Sequence, residues 1–454
     1  MKEKSALFLT FIFISFIFLF NLGAGSLNAW DEGFYASVAR SMIERGDWIN
    51  LYFADVSWCD KPPLCMWMTA IFYKLFGVNE FSARFFSAFS GIGACLIAYL
   101  LGKKLFSKKI GLISALLLAG TCHFIQFAKA GTLDMPLTFF VSLAVYFFIL
   151  SEENKRFILC FFIAWALAFM VKSFGSFSIF AIVIVYSAIQ RNWKNIFNRY
   201  TLPGVFIFFI IISIWHIAAF HDSWETFLQQ SFRSHLWTRT GQAIDNHTGG
   251  ILTYINVILY KAKPWGVLGL AGIPFLLLNL VRKKINSQAW IILVWVIFYL
   301  VAFSIVKTKL HWYIMPIYPA IMIIAAVFLE KILKSKTIAI VFIVTIISVG
   351  YFGIKKDIFT LDYNPSIKKF AQDVRKQNQK KEPVYLYDIG GDPSVEFYIG
   401  GEARSLYKEE DLMKVIALGK CVIVTRPQSS ALSMIPSTRN IIKSSNGEFI
   451  AVIS

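Results

Sequence analysis

The chain has 454 residues, of which 57% are hydrophobic and only 16% charged, with a formal net charge of +18. That is far more apolar surface than one soluble core of ordinary composition carries, and a membrane is its natural sink. A nucleic-acid partner, which the charge alone would suggest, is excluded by how the charge is distributed: Lys and Arg gather in alternate short connectors between apolar runs.

The first apolar run covers residues 6–22, behind Lys2 and Lys4. Those lysines suit the n-region of a signal peptide. The run is longer than a usual h-region, however, and an acidic segment follows it at once, so a retained anchor is expected. Crossing the hydrocarbon takes about 20 apolar residues. Ten further runs qualify, at 80–101, 110–128, 132–150, 157–171, 174–190, 201–220, 251–280, 289–306, 312–330 and 337–354. The run at 251–280 is too long for one span and is interrupted by Lys261, Lys263 and Pro264, so a further hairpin is expected there. The chain therefore reads as a mainly α, polytopic bundle of about 11–13 membrane helices.

Basic residues mark one set of connectors: Lys2 and Lys4; Lys103, Lys104, Lys108 and Lys109; Lys155 and Arg156; Arg191, Lys194 and Arg199; Arg282, Lys283 and Lys284; Lys331, Lys334 and Lys336. This positive-inside pattern puts the N-terminus in the cytoplasm. With an odd number of spans, the segment from about residue 355 lies outside, as do the loops at 23–79 and 221–250. Residues 1–354 are thus expected as a transmembrane domain and 355–454 as an extracytoplasmic one. Cys95, Cys122 and Cys160 fall in apolar spans, where packing is their role. Cys59 and Cys65 lie in the oxidising compartment, where a short disulfide across Pro62 and Pro63 is open to them.

The loop at 23–79 reads as two short interfacial helices. The first runs from Asp31 to Arg45 and closes at Gly46, with Phe34, Tyr35, Val38 and Met42 near one face and Trp30 and Trp48 at its flanks. The second begins at Pro62 and Pro63, where missing N–H groups matter least, and ends before Gly77. After Ile354 the composition changes. Residues 365–379 read as a polar helix, and PVYLYDIG, VEFYIG, CVIVTR and EFIAVIS read as strands around a second helix near 408–418. Together they make a small α/β domain.

Several charged residues are placed for chemistry. Asp31 and Glu32 open the first loop helix, where capping and catalysis are both open to them. Asp60 and Lys61 precede the double proline. A residue before proline is pushed out of the α region, so Lys61 should be extended, and with no N–H on Pro62 or Pro63 an anion there would depend on the lysine ammonium; a surface lysine is the plain alternative. Asp134, in GTLDMP, is a third acid at the outer membrane edge, where an ionisable group lines a cavity or caps a helix. His247, in DNHTGG, is a surface residue or, with a carboxylate from another loop, a ligand for a divalent metal. Lys307, Lys309, His311, Trp312 and Tyr313 form a compact outer turn able to grip a phosphate and stack on a ring, or simply to anchor at the interface.

The segments WDEGFYASVARSMIERGDWI, CDKPPLCMWMTAIFYKLFGVNEFSARFFSA, AGTLDMPLTFF, VKSFG and KTKLHWYIMPIYPA, in that order and spacing, resemble the bacterial membrane glycosyltransferases related to aminoarabinose transferases and protein O-mannosyltransferases, over about residues 1–355. The resemblance implies a GT-C-like bundle in the bacterial inner membrane. It makes Asp31 the catalytic acid of the first loop, Asp134 an acid important for activity, and Lys61 and Tyr313 contacts to the donor's phosphate. Asp60 and His247 match positions at which an aminoarabinose transferase holds a metal ion, with Asp in place of Glu at the first. Two departures remove positive charge near that phosphate: Phe34 and Leu252 stand where arginines are expected.

The implied activity is transfer of a sugar from a polyprenyl-phosphate donor to a lipid, protein or glycan acceptor on the outer face. Lys61, Tyr313 and Lys309 would serve the departing phosphate, a divalent metal at Asp60 and His247 would assist, Asp31 would activate the acceptor, and Glu32 and Lys307 would support. The rival class is a transporter or flippase for lipid-linked sugars, which should place ionisable residues mid-span. Here the acids lie in outer loops and at span ends, which favours surface chemistry.

Overall fold

The computed structural model describes residues 2–28, 30–53, 56–220, 249–356, 360–378, 382–389, 393–399, 404–419, 421–434 and 440–453. Every one of the eleven apolar runs is helical, because a backbone in hydrocarbon must satisfy its polar groups internally. One run differs from the expectation of a single straight span, and another divides where the sequence interrupts it. Residues 110–128 form two helices, Lys108–Ala119 and Cys122–Lys129, bent by 68° at the break. The bend falls at Gly120 and Thr121, where the Thr121 hydroxyl takes up the Leu117 carbonyl that the turned chain leaves. Residues 251–280 split into Thr253–Lys261 and Gly266–Val281 around Pro264, as the interrupting lysines and proline require.

Among the described residues, six helical segments are long and apolar enough to cross a membrane, or seven if the bent pair is one span. One of the six, Phe157–Gln190, is two helices joined at Ser173–Ser176. Leu7–Leu19, Leu64–Phe76, Gly266–Val281 and Thr337–Tyr351 are shorter apolar helices, which explains why this count falls below the eleven runs.

The chain divides into two compact units. Met1–Phe20, Cys59–Cys65 and Phe85–Phe359 make the first; Asn21–Trp58, Met66–Arg84 and Thr360–Ser454 make the second.

The first unit is built around the helix Tyr318–Leu333, whose residues are buried nearly from end to end. Gly266–Val281 packs closely on it because Gly269 and Gly272 face Ile321 and Ile324. A Cβ at either glycine would come within 2.6 or 2.7 Å of those side chains. At one end the basic connectors meet each other. Lys104 pairs with Glu153, Lys109 reaches Glu330 at 3.3 Å, Gln288 donates to Glu152 at 2.6 Å, and Gln190 donates to the Ser287 carbonyl at 3.0 Å. Cys59 and Cys65 are both buried free thiols, so the disulfide left open by the sequence is not formed.

In the second unit the helix Asp31–Arg45 closes on Gly46 in the left-handed region (φ 68°), as its sequence predicts. Its buried face is Ala36, Val38, Ala39 and Met42, and that face rests on Pro393–Ile399. Ser37 donates to the Pro393 carbonyl at 3.1 Å and Arg40 to that of Phe397 at 2.8 Å. Phe34 and Tyr35 leave that face and join Phe53 and Trp58 beside the short hairpin of β1 (Tyr52–Phe53) and β2 (Val56–Ser57).

Of VEFYIG, expected as a strand, Val395 to Ile399 lie in the helix Pro393–Ile399 and the final glycine lies outside the described residues. Its apolar residues are buried on more than one side, so no period separates strand from helix. Pro393 at the first helical position and packing against Asp31–Arg45 and Pro365–Gln377 decide for the helix. The other strand expectations fall on β3 (Val384–Tyr387), β5 (Val422–Thr425) and β7 (Ile450–Ile453), joined by the unforeseen β4 (Arg404–Leu406) and β6 (Asn440–Lys443). The sheet order is β4-β3-β5-β7-β6, with β4, β3 and β5 parallel and the last pairs antiparallel. Central β5 is buried at every residue, hence its unbroken VIVT.

Candidate functional site

In the second unit, the start of the Asp31–Arg45 helix is fixed from beneath. Trp30 occupies the cap position and no side chain caps it, so Asp31 is the first helical residue rather than the cap. The Asp31 side chain faces solvent while Glu32 is only 1% exposed. The Glu32 carboxylate takes Arg84 Nε at 2.7 Å and Nη2 at 3.2 Å, and the backbone N–H of Asn28 at 2.9 Å. Arg84, equally buried, also donates to the carbonyls of Leu22, Gly25, Ser26 and Leu361 at 2.8–3.2 Å. A buried bidentate pair with its remaining donors satisfied is a rigid object. Its consequence is local: the backbone that carries Asp31 has one place to be.

Phe34, one helical turn on, stacks on Phe53 with ring centroids 4.0 Å apart and an interplanar angle of 19°. At the position where the resemblance implies an arginine, this chain therefore has an aromatic packing element, closed by Trp58 at 5.3 Å. Leu252, at the second departure, is exposed.

In the first unit, Lys61 is not the surface lysine that was its plain alternative. It is 7% exposed, with its ammonium 2.9 Å from the Asp60 carboxylate. Asp134 is 3% exposed at the first turn of Asp134–Glu153, where it makes no cap hydrogen bond. Instead Lys172 donates to it at 2.8 Å, and the Lys172 ammonium lies 5.5 Å from the centre of the Tyr313 ring. An anion at Lys61 would meet an ammonium already aimed at a carboxylate, and one at Lys172 an ammonium shared with an aromatic face.

Lys309 is engaged elsewhere. Its ammonium donates to the carbonyls of Ser304 at 2.7 Å and Val306 at 2.6 Å, at the C-terminal end of Trp290–Ile305, where a cation suits the helix dipole. An anion there would have to draw it off these oxygens. Lys307 is exposed in the same turn. His311 bonds through Nδ1 to His123 Nε2 at 2.9 Å, and His123 Nδ1 meets the Tyr318 hydroxyl at 2.6 Å.

The residues offered as metal ligands do not make a metal site in the described part of the chain. Asp60 holds the Lys61 ammonium, which a dication would have to displace, and no group of three His, Cys, Asp or Glu is assembled among the described residues. His247 lies outside the described residues.

Three side chains of these buried networks escaped the sequence. Lys172, within VKSFG, was legible only as a charge at the end of an apolar run, itself a signal in a membrane. Arg84 stood in a polar-looking helix start, and its partner Glu32 is 52 residues away. His123 looked like one polar residue in an apolar run.

The helical bundle and its C-terminal α/β segment have the fold of the GT-C membrane glycosyltransferases. Residues 60–217 match the model of the dolichyl-phosphate-mannose-protein mannosyltransferase family. Over 379 residues the chain is 26% identical to an undecaprenyl phosphate-alpha-4-amino-4-deoxy-L-arabinose arabinosyl transferase of Pseudomonas fluorescens, covering 79% of this chain and 68% of the relative. It is 29% identical to an uncharacterized protein of Aquifex aeolicus over 387 residues, or 85% of this chain and 86% of the other. ArnT from Cupriavidus metallidurans, solved bound to undecaprenyl phosphate, superposes with a TM-score of 0.78 at 19% identity, over 99% of this chain and 98% of that one. The archaeal oligosaccharyltransferase AglB of Archaeoglobus fulgidus, solved with a dolichol-phosphate, superposes with a TM-score of 0.57 at 12% identity, over 100% of this chain and 74% of that one. The chain is thus a multi-pass membrane protein similar to the aminoarabinose and protein-mannose transferases.

Proposed function

We propose that this protein is a membrane glycosyltransferase that takes a sugar from a polyprenyl-phosphate donor and passes it to a lipid, protein or glycan acceptor on the extracytoplasmic face. The observation that carries this reading is the solvent-facing Asp31 carboxylate on a helix start held by the buried Glu32–Arg84 pair. A capping residue needs no such foundation; a group that must meet a reacting atom does. Likeness to polyprenyl-phosphate transferases along nearly the whole chain supports the same class.

In this reading the phosphate departs as positive charge develops on the sugar ring. Lys61 and Lys172 stabilise the departing anion, with Tyr313 holding Lys172 in place. Asp31 accepts the proton of the acceptor hydroxyl or orients it. Asp134 keeps the Lys172 ammonium aimed. The donor site has fewer cations than the aminoarabinose resemblance implies, since Phe34 and Leu252 replace two arginines, so a donor less dependent on charge recognition is expected. The basic connectors that meet at one end of the first unit support a cytoplasmic N-terminus and outward-facing chemistry.

Purified protein incubated with a radiolabelled polyprenyl-phosphate sugar and a membrane extract as acceptor should transfer label and release polyprenyl phosphate. Movement of intact donor across a proteoliposome membrane without release of polyprenyl phosphate would establish the transporter class instead.

A further inference from the structure

Away from Asp31 and its clamp, the second unit holds a cavity of about 150 Å³ between the start of Glu80–Leu105 and the helices Asp31–Arg45, Pro365–Gln377 and Pro393–Ile399. A water needs only about 10–15 Å³ by the same measure, so there is room for a tetrahedral oxyanion. Three cations line it: Arg40, Lys368 and Arg375. Glu80 is the one acid in the lining, and it is engaged by Lys368 at 2.6 Å and by the Tyr398 hydroxyl at 3.1 Å. Burial and the Glu80 charge push the Tyr398 hydroxyl up, so it remains a neutral donor.

The guanidiniums are where charge is left over. Arg40 places Nε on Glu44 at 2.6 Å and Nη1 on the Phe397 carbonyl at 2.8 Å, while its Nη2 makes no hydrogen bond among the described residues. Arg375 makes neither a hydrogen bond nor an ion pair among the described residues, although it lines a concave wall. Burial and the charge of Arg40 hold the Arg375 guanidinium below its ordinary value, with Glu44 acting in the opposite sense. Two like-charged planar forks are thus brought together, with Glu44 in hydrogen-bond reach of Arg40 alone, an arrangement that a further anion relieves. Val78, Ala371 and Phe397 supply apolar wall on either side.

From this geometry we infer that the cavity binds a phosphate group, gripped by the forks of Arg375 and Arg40 with Lys368 behind them. The group is a free phosphate or the phosphomonoester of a lipid headgroup; the chemistry recognised is the same. The site shares no residue with those assigned to the donor phosphate, Lys61, Lys172 and Tyr313, and it does not depend on sugar transfer.

The test is phosphorus NMR titration of the full-length protein in detergent with inorganic phosphate, no sugar donor being present. Arg375→Ala should weaken phosphate binding about tenfold, and Arg375→Glu should abolish it. Lys414→Ala, which removes an exposed lysine paired with Asp411 on the helix Glu409–Leu418, should leave it unchanged. Because Arg375 has no hydrogen bond or ion pair to lose among the described residues, its variants should unfold at the wild-type midpoint. Repeating the titration in nanodiscs separates the two sources: phosphatidic acid in a phosphatidylcholine bilayer that competes with inorganic phosphate assigns the site to headgroups, and failure to compete assigns it to soluble phosphate. Wild-type binding in both Arg375 variants, or an equal loss in Lys414→Ala, overturns the inference. A protein that binds phosphate in this way yet transfers no sugar would sink the proposed activity and leave this site standing.

Discussion

The Glu32–Arg84 pair of the second unit and the Asp134–Lys172 pair of the first are both carboxylate–cation contacts of 2.7–2.8 Å, yet their surroundings differ. Glu32 and Arg84 have side chains 0% and 1% exposed, and four backbone carbonyls take up the remaining guanidinium donors. Asp134 and Lys172 are 5% and 21% exposed, and the lysine borders an aromatic ring rather than a set of carbonyls. The first pair has no capacity left for a ligand and can only hold backbone in place. The second keeps an ammonium partly accessible, so it can respond to an arriving anion. Burial with full hydrogen bonding marks scaffold; burial with a partial opening marks chemistry.

The largest expected effect breaks the scaffold. Arg84→Ala strands the Glu32 carboxylate and four carbonyls, and should destabilise the protein by about 3–5 kcal/mol. A thermal unfolding midpoint in detergent would show a large drop, partly restored in Arg84→Lys. An unchanged midpoint would mean that Glu32 finds water when Arg84 is gone, and the contrast between the two pairs would fail.

A smaller effect on stability, and a larger one on activity relative to it, is expected at the open pair. Lys172→Met should lower the midpoint by less than Arg84→Ala, since water reaches Asp134 more easily, and should reduce turnover at least about tenfold by removing charge next to the departing phosphate. Turnover that falls only in proportion to the loss of folded protein would return Lys172 to a structural role.

How much of this was legible before the structure depends on the range of the signal. Local signals carried well: the Asp31–Arg45 helix ends at Gly46 because only a residue tolerant of positive φ closes a helix that way, and Pro365–Gln377 announced itself through its polar period. Hydropathy located all eleven apolar runs because lipid imposes one solution on such runs. Signals that depend on neighbours did not carry. VEFYI is helical because two helices bury it, a fact absent from its own residues. The bend at Gly120 and Thr121 interrupts a run whose hydropathy as a whole still reads as one span. Among site residues, Asp31, Lys61 and Asp134 stood out by chemistry and position, whereas Arg84 and Lys172 acquire meaning only from partners 52 and 38 residues away. Lys309 shows a contact that sequence does not disclose: a residue with phosphate-binding chemistry whose ammonium meets carbonyls at a helix end.

In the proposed function the Glu32–Arg84 clamp presents the Asp31 carboxylate to a reacting group, and one substitution tests this directly. Asn serves a helix start about as well as Asp, so Asp31→Asn preserves the local structure while removing the charge and the proton acceptor. Turnover of a labelled polyprenyl-phosphate sugar, measured with donor both limiting and saturating, should fall about a hundredfold, roughly 2.7 kcal/mol in the barrier, while donor binding and the unfolding midpoint stay at wild-type values. An Asp31→Asn protein that transfers sugar at the wild-type rate would contradict the account and leave the Glu32–Arg84 pair as structural support alone.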